Sequence, residues 1–180
     1  MSEEARKLLE LKEANWADLD KEWRFCRSMP EDENGLVSQW AGISREEFVT
    51  AALPKMLAFS KGEGLPEGYV PDTTFFLWDE GEIVGQFRLR HYLNDELRRG
   101  GGHIGYYIAP PFRGKNLATE GLRLLLEKAA DIVPEKEYYL RLRKGNLASL
   151  RVMEKNGGYI VEEDPLHIYV RIPKPKKAAE

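Results

Sequence analysis

The chain has 180 residues, the length of one domain with an added element. Its 42% hydrophobic and 32% charged residues exclude wholesale disorder, and 27 basic against 30 acidic residues, a formal net charge of -3, remove the electrostatic case for a nucleic-acid binder. The single cysteine, Cys26, excludes an internal disulfide and a cysteine-rich zinc site.

No apolar run approaches the ~18 residues that a membrane span requires. Met1-Ser2-Glu3-Glu4 is acidic and no apolar stretch follows it, so a cytoplasmic protein without a signal peptide or membrane contact is expected. From Ala5 to Cys26, the residues Leu8, Leu11, Trp16, Leu19 and Trp23 recur mostly at helical spacing, which predicts a first helix. Pro30 to Gly35 is a polar break. Ser44, three residues before Glu47, has the pattern of a capping box and predicts a second helix with Phe48, Ala51, Ala52 and Leu57 on its apolar side and a kink at Pro54. Gly62 to Pro71 is a loop.

Strands follow. Thr73 to Trp78 is rich in aromatic and β-branched residues, Asp79-Glu80-Gly81 is a turn, and Glu82 to Arg90 completes an antiparallel hairpin. Asn94 to Arg99 is a short helical or irregular piece. Gly100-Gly101-Gly102 precedes a third strand, His103 to Ala109, which Pro110-Pro111 ends. A helix from about Gly114 to Asp131 buries Leu122, Leu125, Leu126 and Ala129. Glu137 to Arg143 is a fourth strand, Asn146 caps a helix to Asn156, and Tyr159 to Glu163 and His167 to Ile172 form a last strand pair. Hairpins and helical crossovers together predict an α/β (α+β) domain with a mixed, mostly antiparallel sheet and helices on both faces. One domain over 1–180 is expected, with helices over 1–71, a core over 73–172 and a charged tail over 173–180 that frays.

Chemistry concentrates where the third strand turns into the long helix, at Arg113-Gly114-Lys115-Asn116-Leu117-Ala118-Thr119. The first N–H groups of a helix have no internal partner and carry partial positive charge. Arg113 and Lys115 add full charges, and Gly114 and Ala118 leave the backbone open. A phosphate or pyrophosphate site is one reading and an ordinary solvated connection is the other. Neither a Gly-Lys-Ser/Thr P-loop nor a Gly-x-Gly-x-x-Gly turn is present.

Arg113 to Ala118 resembles the Arg/Gln-x-x-Gly-x-Gly/Ala motif of the GNAT superfamily of N-acetyltransferases. Asn146-Leu147-Ala148-Ser149, followed by Val152 to Gly157, resembles that family's second motif. The likeness covers about Thr73 to Ile172, and the segment around Arg90 to Tyr106 resembles a little-characterised branch of predicted acetyltransferases. It implies acetyl-CoA as co-substrate, with its pyrophosphate on the N–H groups of Gly114, Lys115, Asn116, Leu117, Ala118 and Thr119. Arg113 matches the first motif position. The pantetheine arm would pair with backbone near Ile108 and Ala109, where the third and fourth strands splay, and an N–H near Ile108 would meet the developing oxyanion. Asn146 and Ser149 match polar positions that cap the short helix and face the cofactor arm; capping alone is their plainer reading.

The chain departs from the family pattern twice. Asn116 stands where Gly is usual, and Asn tolerates the left-handed backbone better than most residues. Met153 stands where many members carry a proton-donating Tyr, and methionine has no proton to give.

For the base, the strand before the phosphate loop holds no carboxylate, and His103, with an ordinary pKa near ~6.5, is the first candidate. His91 is the second, Glu96 and Tyr106 are weaker, and His167 is peripheral. Arg88 with Arg90, and Arg141 with Arg143, share strand faces; lining an acceptor cleft, they would suit a carboxylate or phosphate, while solvated faces are the plainer reading. The helices outside the likeness would build the acceptor side or a homodimer contact. The expected activity is acetyl transfer to a primary amine of a small molecule by direct attack, with a non-catalytic acyl-CoA-binding sensor as the alternative and a protein-interaction module as a third reading.

Overall fold

The computed structural model describes residues 9–176. The start of the expected first helix, at Ala5 to Leu8, and the end of the tail, from Lys177, lie outside the described residues.

The first element corrects the expectation. Leu9–Glu13 is a strand, β1, and the helix α1 begins only at Leu19 and runs to Ser28, after a short tight turn at Trp16–Asp18. Leu9-Glu10-Leu11-Lys12-Glu13 alternates apolar and charged residues, a period-two pattern, and Leu11 is buried. Asn15 breaks the chain from strand to helix: its Oδ1 accepts the Asp18 N–H at 3.0 Å. Reading Leu11 and Trp16 as one helical stripe merges two elements of different period.

Pro30 to Gly35 is also more than a break. Asp32–Glu33 and Leu36–Val37 pair as a small hairpin, β2 and β3, around Asn34 and Gly35, both with positive φ (52° and 87°). The Ser44–Glu47 capping box is present and opens α2, Arg45–Glu47. A wider helical turn over Phe48–Ala52 then joins α3, Leu53–Ser60, where Pro54 occupies the first turn.

The central strands fall where the sequence predicts. β4 (Asp72–Asp79), β5 (Glu82–Arg90) and β6 (Ile104–Ile108) follow each other, with α4 (Asp95–Arg99) capped by Asn94 between the last two. Then come α5 (Leu117–Ala129), β7 (Glu137–Arg143), α6 (Leu147–Lys155), β8 (Tyr159–Glu163) and β9 (His167–Pro173). The strands make two sheets rather than a continuous one: β1-β4-β5-β6 and β7-β9-β8, every described ladder antiparallel. β6 and β7 belong to different sheets and form no ladder with each other.

β4 sits between two cores. Phe75 and Leu77 join Phe87, Leu122, Leu125, Tyr138 and Leu140 beneath α5. Phe76 and Trp78 join Phe25, Phe48, Leu53 and Tyr107 beneath α1 to α3. Helices therefore cover both faces of the larger sheet. Gly121 brings α5 so close that a Cβ there would meet the Phe87 ring at 2.5 Å.

The second core holds a carboxyl group. Glu22 is fully buried; its Oε1 accepts the Asn15 N–H at 3.0 Å, and its Oε2 has no described partner. Burial pushes its pKa up to about 8, against the pull of the Asn15 bond. A folded pKa above the unfolded value means that the unfolded chain binds fewer protons between the two values, so stability falls as pH rises through that window. Thermal melts should therefore show the wild type losing stability from about pH 5 to about pH 8, and Glu22→Gln should flatten that slope.

Candidate active site

β6 and β7 are joined by hydrogen bonds at His103, just ahead of β6, and Tyr139 of β7. The His103 N–H donates to Tyr139 O at 2.7 Å, and the Tyr139 N–H donates back to His103 Nδ1 at 2.9 Å. His103 Nε2 lies 3.1 Å from Glu135 Oε2, whose other oxygen accepts the Leu93 N–H at 2.8 Å. Gly102 permits this approach: its φ is 66°, and a Cβ would stand 2.2 Å from Tyr139 O. Past this junction the strands diverge toward their C-terminal ends and open the cleft.

His103 sits at a structural contact between the strands. It is fully buried, both ring nitrogens are engaged, and it lines none of the clefts. Burial lowers its pKa, against the Glu135 carboxylate. Strand parity alone could not show that its face at this point meets β7. His91 is also away from the clefts, with Nε2 2.7 Å from Thr73 Oγ1. Burial lowers its pKa as well.

The cleft has two compartments. The larger, about 550 Å3, is lined by Ile108, Asn116, Leu117, Ala118, Thr119 and α6. Asn116 has φ 64° and ψ 13°, the left-handed conformation the motif position calls for, and it caps α5. The first bond of that helix runs from the Glu120 N–H to Asn116 O at 3.2 Å, and none of the six N–H groups from Gly114 to Thr119 has an acceptor among the described residues. These donors form an anion cradle at the cleft wall.

The cations expected to help do not all do so. Lys115 does not line the cleft. Arg113 does, but its Nε donates to Ile108 O at 2.9 Å and its Nη2 meets Glu33 Oε2 at 2.6 Å, so it ties strand end to hairpin. Ala109 lies outside the cleft, its N–H donating to Val84 O at 2.9 Å.

The smaller compartment, about 290 Å3, lies on the other side of Tyr106 and Ser149, which line both. Tyr106 Oη is 2.7 Å from Ser149 Oγ and 3.2 Å from Ser149 O, to which it can only donate. Burial pushes the phenol up to about 12, the Ser149 bond acting against it, so it stays protonated at neutral pH. Asn146 lines both compartments and caps α6, its Oδ1 accepting the Ser149 N–H at 3.3 Å. Met153 lines the smaller one and is buried. Glu33 and Leu36 of the β2–β3 hairpin border both compartments. The Asn34-Gly35 pair was the signal for that hairpin, since it favours tight two-residue turns.

A sheet split at one end, with an open amide cradle beside the split, defines an acyltransferase-type fold and site. The chain belongs to the GNAT acetyltransferase family: the family model described as Acetyltransferase (GNAT) domain matches residues 9–158, and so includes the N-terminal elements outside the motif likeness. No curated protein sequence matches the chain. Solved structures share the fold. RimJ of Mycobacterium smegmatis, in complex with a CoA disulfide, is 19% identical with TM-score 0.67, covering 92% of this chain and 81% of that one. YncA of Salmonella typhimurium, with acetyl-CoA, is 14% identical with TM-score 0.62, covering 96% and 97%. A Salmonella typhimurium acetyl transferase that modifies the N-terminal serine of ribosomal protein L7/L12 is 15% identical with TM-score 0.58, covering 91% and 93%. Among the described residues, no helix is long and apolar enough to cross a membrane and no group of side chains could hold a metal ion.

Replacing His103 by Ala leaves Glu135 and the Tyr139 N–H without their partner. A loss of about 2–4 kcal/mol in chemical denaturation is expected, while the folded fraction keeps the pH dependence of its activity.

Proposed function

We propose that the protein transfers an acetyl group from acetyl-CoA to a primary amine of a small molecule by direct attack. The observation carrying this reading is the run of six amides from Gly114 to Thr119 without an acceptor among the described residues, five of whose residues, all but Lys115, line the larger cleft. The diphosphate of the coenzyme would lie on these groups, with Asn116 keeping the loop in its left-handed turn and the arm extending toward Ile108. Because Arg113 already occupies the Ile108 carbonyl, the arm has to meet the N–H groups of β6 or displace that guanidinium.

The junction of the two compartments is where the thioester carbon would meet the amine. The amine nitrogen forms the C–N bond, the C–S bond breaks, and the departing thiolate takes a proton. Tyr106, held by Ser149, supplies the donor that Met153 lacks, and its raised pKa keeps that proton available. Glu33 is the only carboxylate lining both compartments among the described residues, and it takes the proton released by the amine directly or through water. Cys26 plays no part: it is buried in the helical core, and burial pushes its thiol far above its ordinary range.

Incubation with acetyl-CoA and an amine panel, followed by thiol titration, tests the activity. Acetyl-CoA should raise the melting temperature and release thiol with at least one amine; stabilisation without thiol release would favour the acyl-CoA sensor, and neither effect would remove the reading. Asn116→Asp places a negative charge beside the diphosphate and should weaken coenzyme binding by about 1 kcal/mol, roughly fivefold, in calorimetry. Tyr106→Phe should lower kcat by about tenfold or more while coenzyme affinity stays close to wild type.

A further inference from the structure

The smaller compartment is walled by two pairs of arginines on strands of different sheets. Arg88 and Arg90 share one face of β5, and Arg141 and Arg143 share one face of β7. All four line the same space of about 290 Å3. Like charges gathered this closely repel unless an opposite charge joins them.

Internal carboxylates supply only part of that charge. Asp72 pairs with Arg88 at 2.5 Å, and Asp32 meets Arg143 at 3.4 Å. Glu33, the carboxylate lining this compartment, is held by Arg113 at 2.6 Å. No carboxylate of the described residues lies within ion-pair distance of Arg90 or Arg141. Arg90 donates to the Gly102 carbonyl at 3.0 Å. Burial first, and then Arg88 and Arg141 as like charges, press its pKa down to about 10, against Asp72, which leaves it a cation at neutral pH.

Glycines stand beside two of these arginines. A Cβ on Gly101 would stand 3.4 Å from Arg90 Nη1, and one on Gly100 would stand 3.8 Å from Arg141 Nη1. Gly105, opposite Arg88 in the β5–β6 ladder, adds no side chain over it. Arg141, with no carboxylate partner among the described residues, and Arg90, which gives only Nη1 to the Gly102 carbonyl, keep N–H groups for the paired contacts that suit a carboxylate or phosphate.

We propose that the smaller compartment is the acceptor site, and that Arg90 and Arg141 bind a carboxylate or phosphate carried by the acceptor while its amine faces Tyr106 and Ser149. The inference rests on the proposed coenzyme site in the larger compartment, because the acceptor then enters from the opposite side of the Tyr106–Ser149 junction. A space of about 290 Å3 is on the scale of a small-molecule pocket, so the occupant is a small anionic amine rather than a peptide.

Three amines of similar length separate the sources of charge: phosphoethanolamine, β-alanine and propylamine. With coenzyme A saturating the full chain, calorimetric titration should show one of the two anions binding at least about tenfold more tightly than propylamine. The tighter anion identifies phosphate or carboxylate. Arg141→Gln, on an exposed side chain, should erase that preference, while Arg45→Gln, outside both compartments, should retain it. Equal binding of the three amines, or a preference that survives Arg141→Gln, overturns the proposal, as does tighter binding of a short poly-aspartate peptide than of either small anion. Failure of coenzyme A itself to bind would count against the coenzyme site, and the same titration without it still decides the anion site.

Discussion

Everything in this fold turns on one short contact between two sheets. His103 and Tyr139 exchange two hydrogen bonds, Glu135 holds the far side of the imidazole, and Gly102 allows the backbones to meet. Backbone donors and acceptors buried without partners are costly, so two strands that diverge need a reason to begin together. Here a buried histidine side chain substitutes for the next rung of the ladder. The strands are bound at their starts and free at their ends, and the resulting wedge becomes a cleft because Tyr106, Ser149 and the β2–β3 hairpin cross it instead of filling it.

The wedge also sorts charge. On one side, backbone N–H groups at the start of α5 supply partial positive charge, with Arg151 and Lys155 on the same wall and Lys155 Nζ 3.5 Å from Asn116 Oδ1, while Arg113 is occupied with Ile108 and Glu33. On the other side, full guanidinium charges line the wall. The phenol at the division is kept neutral by burial. A neutral phenol between two electropositive compartments adds no further charge to either, and burial keeps it protonated at neutral pH.

Much of this was legible from local chemistry. The hairpin of β4 and β5, the capping box at Ser44, the left-handed Asn116 and the cap at Asn146 each depend on a few neighbouring residues, and each is where the sequence predicts it. β1 was hidden because its five residues adjoin a true helix, and Leu11 and Trp16 mimic a helical stripe across the boundary. The role of His103 was hidden for a different reason. A histidine on a strand next to a phosphate loop suits a base, and only the packing of β6 against β7, thirty-odd residues apart in the chain, shows that both ring nitrogens are used. Glu135, the partner that fixes this, lies in a connection with no motif of its own. The shared face of Arg141 and Arg143 was readable from strand parity, but not its meeting with Arg88 and Arg90 across the split.

β4 has one more implication. Its side chains are buried on both faces, with Phe75 and Leu77 in one core and Phe76 and Trp78 in the other. A fragment beginning at Asp72 would carry the whole run of open amides at the start of α5 and yet bare an aromatic surface that α1 to α3 now cover. The minimal autonomous unit of this transferase therefore extends well upstream of its motifs, and dissecting it at the loop before β4 would yield an aggregating piece rather than a smaller enzyme.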